Sequence, residues 1–562
     1  MKLGQRALRQ SPLALVGGLL VLYLAVPVGA FVIRLGTSSQ TGFSQPGLFA
    51  ALETSAVAAS ISTAIIALLG IPLAYVLSRS NGWFASVIGF LVAIPLALPP
   101  VMAGILLIYI VGPYTPIGTF FNDGLSNSLA AIVLAQTFVA SPFLVVVARA
   151  AFSAVDPALF DLAAGLGHGE LSRFARVALP SAAGGIRAGL LLAWLRAFGE
   201  YGATVILAYH PYSLPVFTEV QFSSTGLLTT QAPTALALGL AVVVVFLSRL
   251  SLPARRHQVK VLPAPSLPPK VAGDPLSFDI DYHLASFHLS LAHKGATNRL
   301  AVLGPSGSGK SASLRCIAGL FGTSPGTVYY GGQNVSDVPI EDRGIGYYPQ
   351  GADLLPHLTV WRQLLFGVGV DPHVAAYWLE RLGLTGLENR LPNELSGGQR
   401  QRVGLAQALS RSPRLLLVDE PFSALDAPVR DELRRELRQL QTETGISSVI
   451  VTHDPEEAAI LAEEVIVIVA GRVAQAGTRR EVFARPSSPQ VARLLGIANL
   501  FTGRARRGGW YRVWRDCHRR TNRALRPRHA FVVEHQAPTG RVEPIGELPS
   551  TSRRGCRPRD DD

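Results

Sequence analysis

The chain has 562 residues, 49% of them hydrophobic and only 16% charged, and a mean hydropathy of +0.31. The charged share is well below the roughly 25% of average soluble domains, which excludes an all-soluble protein and leaves room for two to four domains. The formal charge of +13 is not spread evenly, because residues 504–562 hold fifteen Arg, no Lys and seven acidic residues. Three cysteines, Cys316, Cys517 and Cys556, are too few for a disulfide framework.

Six apolar stretches lie near 12–33, 50–77, 84–111, 128–149, 183–208 and 231–250. Each can supply the roughly 20 helical residues that cross a hydrocarbon core. Lys2, Arg6 and Arg9 precede the first stretch, as in a secretory leader. Its apolar run is too long for one, so it reads as a retained first helix. The remaining cations fall on one side of six alternating helices: Arg79, Arg149, Arg173, Arg176, Arg187, Arg249, Arg255, Arg256 and Lys260. The opposite loops carry little besides Arg34, Asp123 and Glu219. The positive-inside rule makes the first side cytoplasmic, with both termini there.

Pro95, Pro99, Pro100 and Gly104 interrupt the third stretch, as a packing kink or as a gate. In the fifth, Arg196 and Glu200 share a helix face, either as a self-neutralising pair or on a solute path. The membrane region is expected over 1–252. Residues 253–275, with Pro263, Pro265, Pro268 and Pro269, read as a semi-extended linker.

From Leu276 the pattern changes. Phe278, Ile280 and Tyr282 alternate as in a strand, and Leu300–Leu303 is a short apolar strand. It feeds the loop Gly304, Pro305, Ser306, Gly307, Ser308, Gly309, Lys310, Ser311, followed by helical spacing. This is the full phosphate-loop pattern. Its backbone N–H groups can cradle phosphates, Lys310 can reach the β- and γ-phosphates, and Ser311 can hold Mg2+. Residues 414–418 form a second buried strand ending in Asp419 and Glu420. There the first acid can bind Mg2+ and the second can activate water.

Further motifs carry a family resemblance. Leu395, Ser396, Gly397, Gly398 and Gln399 spell the signature pentapeptide, and the whole region 276–503 resembles the ATP-binding domain of ABC transporters. The resemblance implies roles for Gln350 at Mg2+, for Asp426 in a loop communicating across a dimer, and for His453 at the γ-phosphate. It also implies an adenine-stacking aromatic, with Tyr282 the first candidate and Phe278 or Phe287 the others. Because the signature serves ATP held by a second phosphate loop, a homodimer with two ATP sites is expected.

Asp161-Leu-Ala-Ala-Gly165 and Val177-Ala-Leu-Pro180 resemble the coupling loop of bacterial ABC importer permeases, here spanning about 156–182. Asp161 stands where that family more often has Glu. Arg196-Ala-Phe-Gly-Glu-Tyr-Gly-Ala-Thr204 resembles the fifth-helix segment of molybdate-type permeases, with a close variant in sulfate and thiosulfate permeases.

Together these features imply an all-α six-helix membrane domain followed by an α/β ATPase, in the cytoplasmic membrane. The implied work is ATP-driven uptake of a tetrahedral oxyanion, molybdate first, with tungstate, sulfate and thiosulfate as alternatives. A separate extracytoplasmic oxyanion-binding protein would deliver the cargo. Membrane lipid is the other expected partner, and nucleic acid is not expected. A non-transporting ABC machine that transmits force or signal is the reading from another class. Residues 504–562 replace the β-rich regulatory domain common in this group. Their Arg-rich, poorly periodic sequence is expected to be disordered, with headgroup or nucleic-acid contact, or a frame-disrupted remnant, as alternatives. An intact oxyanion-sensing domain is not expected there.

Overall fold

The computed structural model describes residues 12–38, 41–121, 125–249, 259, 261–270, 273–284, 287–321, 326–351, 354–422, 427–497, 500–506, 509–512, 531–534 and 542–544. They divide into two compact units, residues 1–155 with 181–255, and residues 156–180 with 256–562.

The first unit is helical. Among the described residues of the chain, four helices are long and apolar enough to cross a membrane: Ala14–Thr37, Leu48–Arg79, Leu129–Ser153 and Leu227–Arg249. Two bent pairs, Trp83–Ala97 with Pro100–Val111 and Glu170–Ser181 with Ala183–Phe198, bring the number of spans to six if each pair counts as one. The Leu129–Ser153 helix is the most enclosed of the four and the Ala14–Thr37 helix the least. Small residues let the central helices approach closely, as membrane helices require in the absence of a hydrophobic drive between them. The Leu48–Arg79 helix buries Ala51, Ser55, Ala58, Ala59, Ser62, Gly70 and Ala74 along one face. Ser62 Oγ donates to Val133 O at 3.2 Å, and Ser55 Oγ accepts Leu214 N–H at 2.7 Å.

Two of the stretches are broken, the third where its prolines interrupt it and the fifth without such a signal. The third bends by 118° between its two helices, because Leu98 and Pro99 take extended ψ angles of 135° and 136°. The ring of Pro100 forces that conformation on its predecessor and then starts a new helix at its first position. The fifth stretch stops at Phe198 and resumes as a short helix over Gly202–Leu207. Gly202 and Gly104 let these segments touch: a Cβ on Gly202 would lie 2.8 Å from Pro100 Cβ, and one on Gly104 2.9 Å from Ala203 O.

The second unit is built on a ten-stranded sheet: β1 (Leu276–Leu284), β2 (Phe287–Lys294), β3 (Arg299–Leu303), β4 (Gly326–Tyr330), β5 (Gln333–Asn334), β6 (Ile345–Tyr348), β7 (Leu415–Asp419), β8 (Ser447–Thr452), β9 (Glu464–Val469) and β10 (Arg472–Thr478). Their spatial order is β5-β4-β1-β2-β10-β9-β3-β8-β7-β6. Strands β9, β3, β8, β7 and β6 run parallel, and their near-continuous apolar sequences match strands buried on both faces. An antiparallel wing of β1, β2, β4 and β5 extends the sheet.

Residues 156–180 belong to this unit. Their helix Pro157–Gly165 is capped by Asp156, whose carboxylate accepts Ala158 N–H at 2.9 Å. Ala164 enters the core that holds Ile345 and Tyr347 of β6.

Of the basic C-terminal stretch only short segments are among the described residues. Four short strands, β11 (Leu500–Arg506), β12 (Gly509–Arg512), β13 (Phe531–Glu534) and β14 (Val542–Pro544), form a second sheet in the order β12-β11-β13-β14. They coincide with clusters such as Trp510-Tyr511 and Phe531-Val532-Val533, residue types suited to a pleated surface. Arginine-rich segments separate those clusters and mask them in a composition count.

Candidate nucleotide site

The phosphate loop follows the C-terminal end of β3, the usual ligand end of parallel strands. Gly304 is required by a close approach, since a Cβ there would meet Ile468 O at 2.4 Å. Gly309 has φ 98° and would drive a Cβ to 2.9 Å from the Phe287 ring. Lys310 Nζ folds back and donates to Pro305 O at 3.0 Å, so the loop closes on itself. Ser308 Oγ is buried with no hydrogen-bond partner among the described residues, a polar atom that a phosphate oxygen would satisfy.

Four further side chains converge on this loop. Ser311 Oγ donates to Asp419 Oδ1 at 3.1 Å. Gln350 Nε2 donates to Glu420 Oε2 at 3.1 Å. Glu420 Oε1 lies 3.4 Å from His453 Nδ1 and 3.8 Å from Lys310 Nζ. Burial pushes the Asp419 carboxyl up to about 6 and pulls the Lys310 ammonium down, as expected when charges lose water. Glu420 has φ 43°, a left-handed conformation uncommon for a side-chain-bearing residue, held by its N–H bond to Val451 O at 2.9 Å. Strain of this kind clusters at functional sites. Ser311, Asp419 and Gln350 present hard oxygen donors, the set that suits Mg2+. The residues therefore fit Mg2+ and a nucleoside triphosphate.

The other sequence-predicted residues fall into three groups. Ser396 caps the helix Gly397–Ser410: its Oγ accepts Gln399 N–H at 3.2 Å, and Gln399 Oε1 accepts Ser396 N–H at 3.0 Å. The signature, including Gly397 and Gly398, is thus an exposed helix start. Among the described residues no hydrogen bond or ion pair joins it to Lys310 or Ser311. Asp426 lies outside the described residues. Of the aromatic candidates, Phe278 is 4% exposed and packs in the core, whereas Tyr282 is half-buried and stacks on Phe321 at 5.0 Å. Phe287 is half-buried against Gly309.

Several residues that matter here gave no sequence signal. Arg434 is almost fully buried, bonds Asp454 and holds Glu457 at 3.0 Å, fixing the turn that carries His453. Arg315, on the phosphate-loop helix, donates to Asp161 Oδ2 at 2.7 Å. Arg411 donates to Gly165 O at 3.3 Å and to Glu341 O at 3.0 Å. His168 donates from Nε2 to Phe366 O at 2.7 Å while Nδ1 accepts from Ser172 Oγ at 2.8 Å. Burial holds its imidazole below the usual histidine range. A charged residue on a half-exposed helix looks like surface until its partner, 154 residues away in the Arg315 case, is known.

In the first unit, Glu200 is fully buried. Its Oε2 lies 2.5 Å from Arg196 Nη1, and its Oε1 accepts Ala203 N–H at 2.8 Å, starting the Gly202–Leu207 helix. A cavity of about 640 Å³ nearby is lined by Phe198, Tyr201, Thr218, Glu219, Phe222 and Thr234, with neither Arg196 nor Glu200 in its wall. That geometry favours the self-neutralising pair over the path.

The architecture is that of a phosphate-loop ATPase carried by a chain with membrane-spanning helices. Residues 289–423 match the ABC transporter family, and residues 66–255 match the family described as binding-protein-dependent transport system inner membrane component. The chain is therefore a membrane protein that fuses a permease region of that type to an ABC ATPase domain. The sulfate/thiosulfate import ATP-binding protein CysA of Bordetella bronchiseptica is 46% identical over 222 residues, 38% of this chain and 63% of that protein. Its counterpart in Synechocystis is 47% identical over 208 residues, 36% of this chain and 59% of that protein. The chain spans about three-fifths of the length of these relatives. A solved dimeric structure of the ATP-binding cassette MJ0796 in a post-hydrolysis state, bound to ADP and Pi, is 29% identical with a TM-score of 0.33, covering 36% of this chain and 99% of that one.

Proposed function

We propose that this chain is an ATP-driven importer of a tetrahedral oxyanion, working as a homodimer in the cytoplasmic membrane with both termini in the cytoplasm. The observation that carries this reading is the seat of residues 156–180 on the ATPase unit. Asp161 is held by Arg315, five residues along the helix that begins with Lys310. Gly165 lies against Tyr347, where a Cβ would come within 2.7 Å of Tyr347 Cβ. Tyr347 is three residues before Gln350, which reaches Glu420. The permease-derived loop thus touches both the phosphate-loop helix and the strand leading to the hydrolytic glutamate.

In the catalytic step Glu420 accepts the proton of the water attacking the γ-phosphate, His453 contacts that phosphate, and Lys310 balances its charge. Mg2+, when bound by Ser311, Asp419 and Gln350, supplies further charge neutralisation. One chain carries one phosphate loop and one signature, and the exposed Ser396 and half-buried Gln399 are placed to serve a second copy. Asp426 and an adenine-stacking Tyr282 complete the proposed site.

An extracytoplasmic binding protein would deliver the cargo. Two oxyanions compete for the assignment. The segment 196–204 favours molybdate, whereas the names of the ATPase relatives favour sulfate or thiosulfate. Uptake of labelled molybdate and sulfate by cells lacking their own importers, expressing this chain with its binding protein, separates them. Accumulation of either supports oxyanion import. Failure of both, with ATP hydrolysis intact, would leave the force- or signal-transmitting reading.

A further inference from the structure

The hairpin of β1 and β2 carries a cluster of metal-binding side chains that the ATPase chemistry does not use. Its register places His283 directly opposite His288 and Tyr282 opposite Leu289. Asp281 and His283, two residues apart, share one face of β1. His288 is then the cross-strand neighbour of one and the diagonal neighbour of the other. His288 Nε2 lies 2.9 Å from Asp281 Oδ1, and His283 Nδ1 lies 3.8 Å from the same oxygen. One ligand atom from each of the three residues lies within 4.8 Å of the others. Bonds of about 2.0–2.1 Å in a tetrahedral site place ligands roughly 3.3 Å apart, so small side-chain rotations would close the set around an ion.

We propose that Asp281, His283 and His288 form a divalent transition-metal site on the outer face of this hairpin. Two imidazoles and one carboxylate suit Zn2+, Co2+ or Ni2+ and are a poor set for Mg2+ or Ca2+, which prefer oxygen alone. The frame is pre-organised because the ligands sit on paired strands rather than on a loop. The imidazoles of His283 and His288 already lie face to face, with centroids 4.0 Å apart.

Position gives the site a consequence. The opposite face of the hairpin presents Tyr282, stacked on Phe321, and Phe287 lies against Gly309 of the phosphate loop. An ion bridging β1 and β2 would clamp the strands that form one wall beside the nucleotide. It is distinct from the Mg2+ that Ser311, Asp419 and Gln350 would hold.

The test is a Zn2+ titration of the full-length chain in detergent, in competition with a chromophoric chelator. Excess Mg2+ and ADP keep the phosphate loop occupied. Wild type is compared with the double variant His283→Gln/His288→Gln. Their side chains are 76% and 37% exposed, so folding is not at stake, and matching melting temperatures verify this. The wild type should bind one additional ion per chain. The double variant should weaken that binding by more than the roughly 10–100-fold that losing even an outer-shell partner produces. Indistinguishable titrations, whether both proteins bind or neither does, would overturn the site.

Discussion

Glu200 in the membrane unit, fully buried, and Glu420 in the ATPase unit, half-buried, are both carboxylates beside a cation, and their surroundings differ. Glu200 has one oxygen against Arg196 at 2.5 Å and the other on Ala203 N–H at 2.8 Å. It sits at a helix break that it helps to make. Glu420 stands on a strained backbone at φ 43°, and its neighbours Gln350, His453 and Lys310 lie at 3.1, 3.4 and 3.8 Å. Short contacts that satisfy a charge within one chain belong to structure. Longer ones, converging on Glu420 from three other elements at the phosphate loop, leave room for a substrate to enter. Burial of an acid is therefore a weak guide to its role, whereas the state of its partners is a strong one.

The contrast can be broken at either end. Glu420→Gln removes the proton acceptor while keeping the shape, so ATP hydrolysis should fall by about 10²–10⁴-fold. ATP should then trap a dimer visible by size exclusion, and turnover at the wild-type rate would remove Glu420 from its role. Glu200→Ala should instead act on stability. Losing one partner of a buried pair costs about 3–5 kcal/mol, read as a lower melting temperature of the detergent-solubilised chain. Glu200→Gln should be milder, since it keeps an acceptor for Ala203 N–H. Equal melting of Glu200→Ala and wild type would make the pair irrelevant to the fold.

A smaller effect is expected where residues 156–180 meet the ATPase. Gly165→Val must displace Tyr347, an overpacking of about 1–3 kcal/mol. Uptake in vesicles should drop while hydrolysis in detergent persists. The smallest effect concerns pH. His168 is buried neutral, so its contribution is fully present above pH 6.5, its ordinary value, and is lost as pH falls through its lowered pKa in the fold. The stability difference between wild type and His168→Gln should shrink below pH 6.5, and a difference that stays constant would show that the imidazole does not titrate there.

Much of the ATPase was legible because its motifs sit on strand ends, where short continuous apolar runs stop at Gly304 and Asp419. The meeting of Lys310, Ser311, Gln350, Asp419, Glu420 and His453 could be foreseen only through family likeness, since they come from distant parts of the chain. Hydropathy located the spans; prolines marked the break in the third, and nothing marked the one in the fifth. Residues 183–208 carry charge only at Arg187, Arg196 and Glu200, and nothing in that run marks the stop at Phe198 or the restart in which the Glu200 carboxylate accepts Ala203 N–H. The ion pair of Arg315 with Asp161 and the buried Arg434 were invisible for the same reason: a guanidinium is read as surface until its acid is found.

Side-by-side rates of ATP hydrolysis and oxyanion uptake in proteoliposomes, for wild type and Gly165→Val, test the proposed coupling most directly. The expected outcome is stoichiometric uptake with hydrolysis in the wild type and, in the variant, uptake reduced at least several-fold while hydrolysis continues. Uptake unaffected by the substitution, or uptake independent of ATP in the wild type, would contradict it.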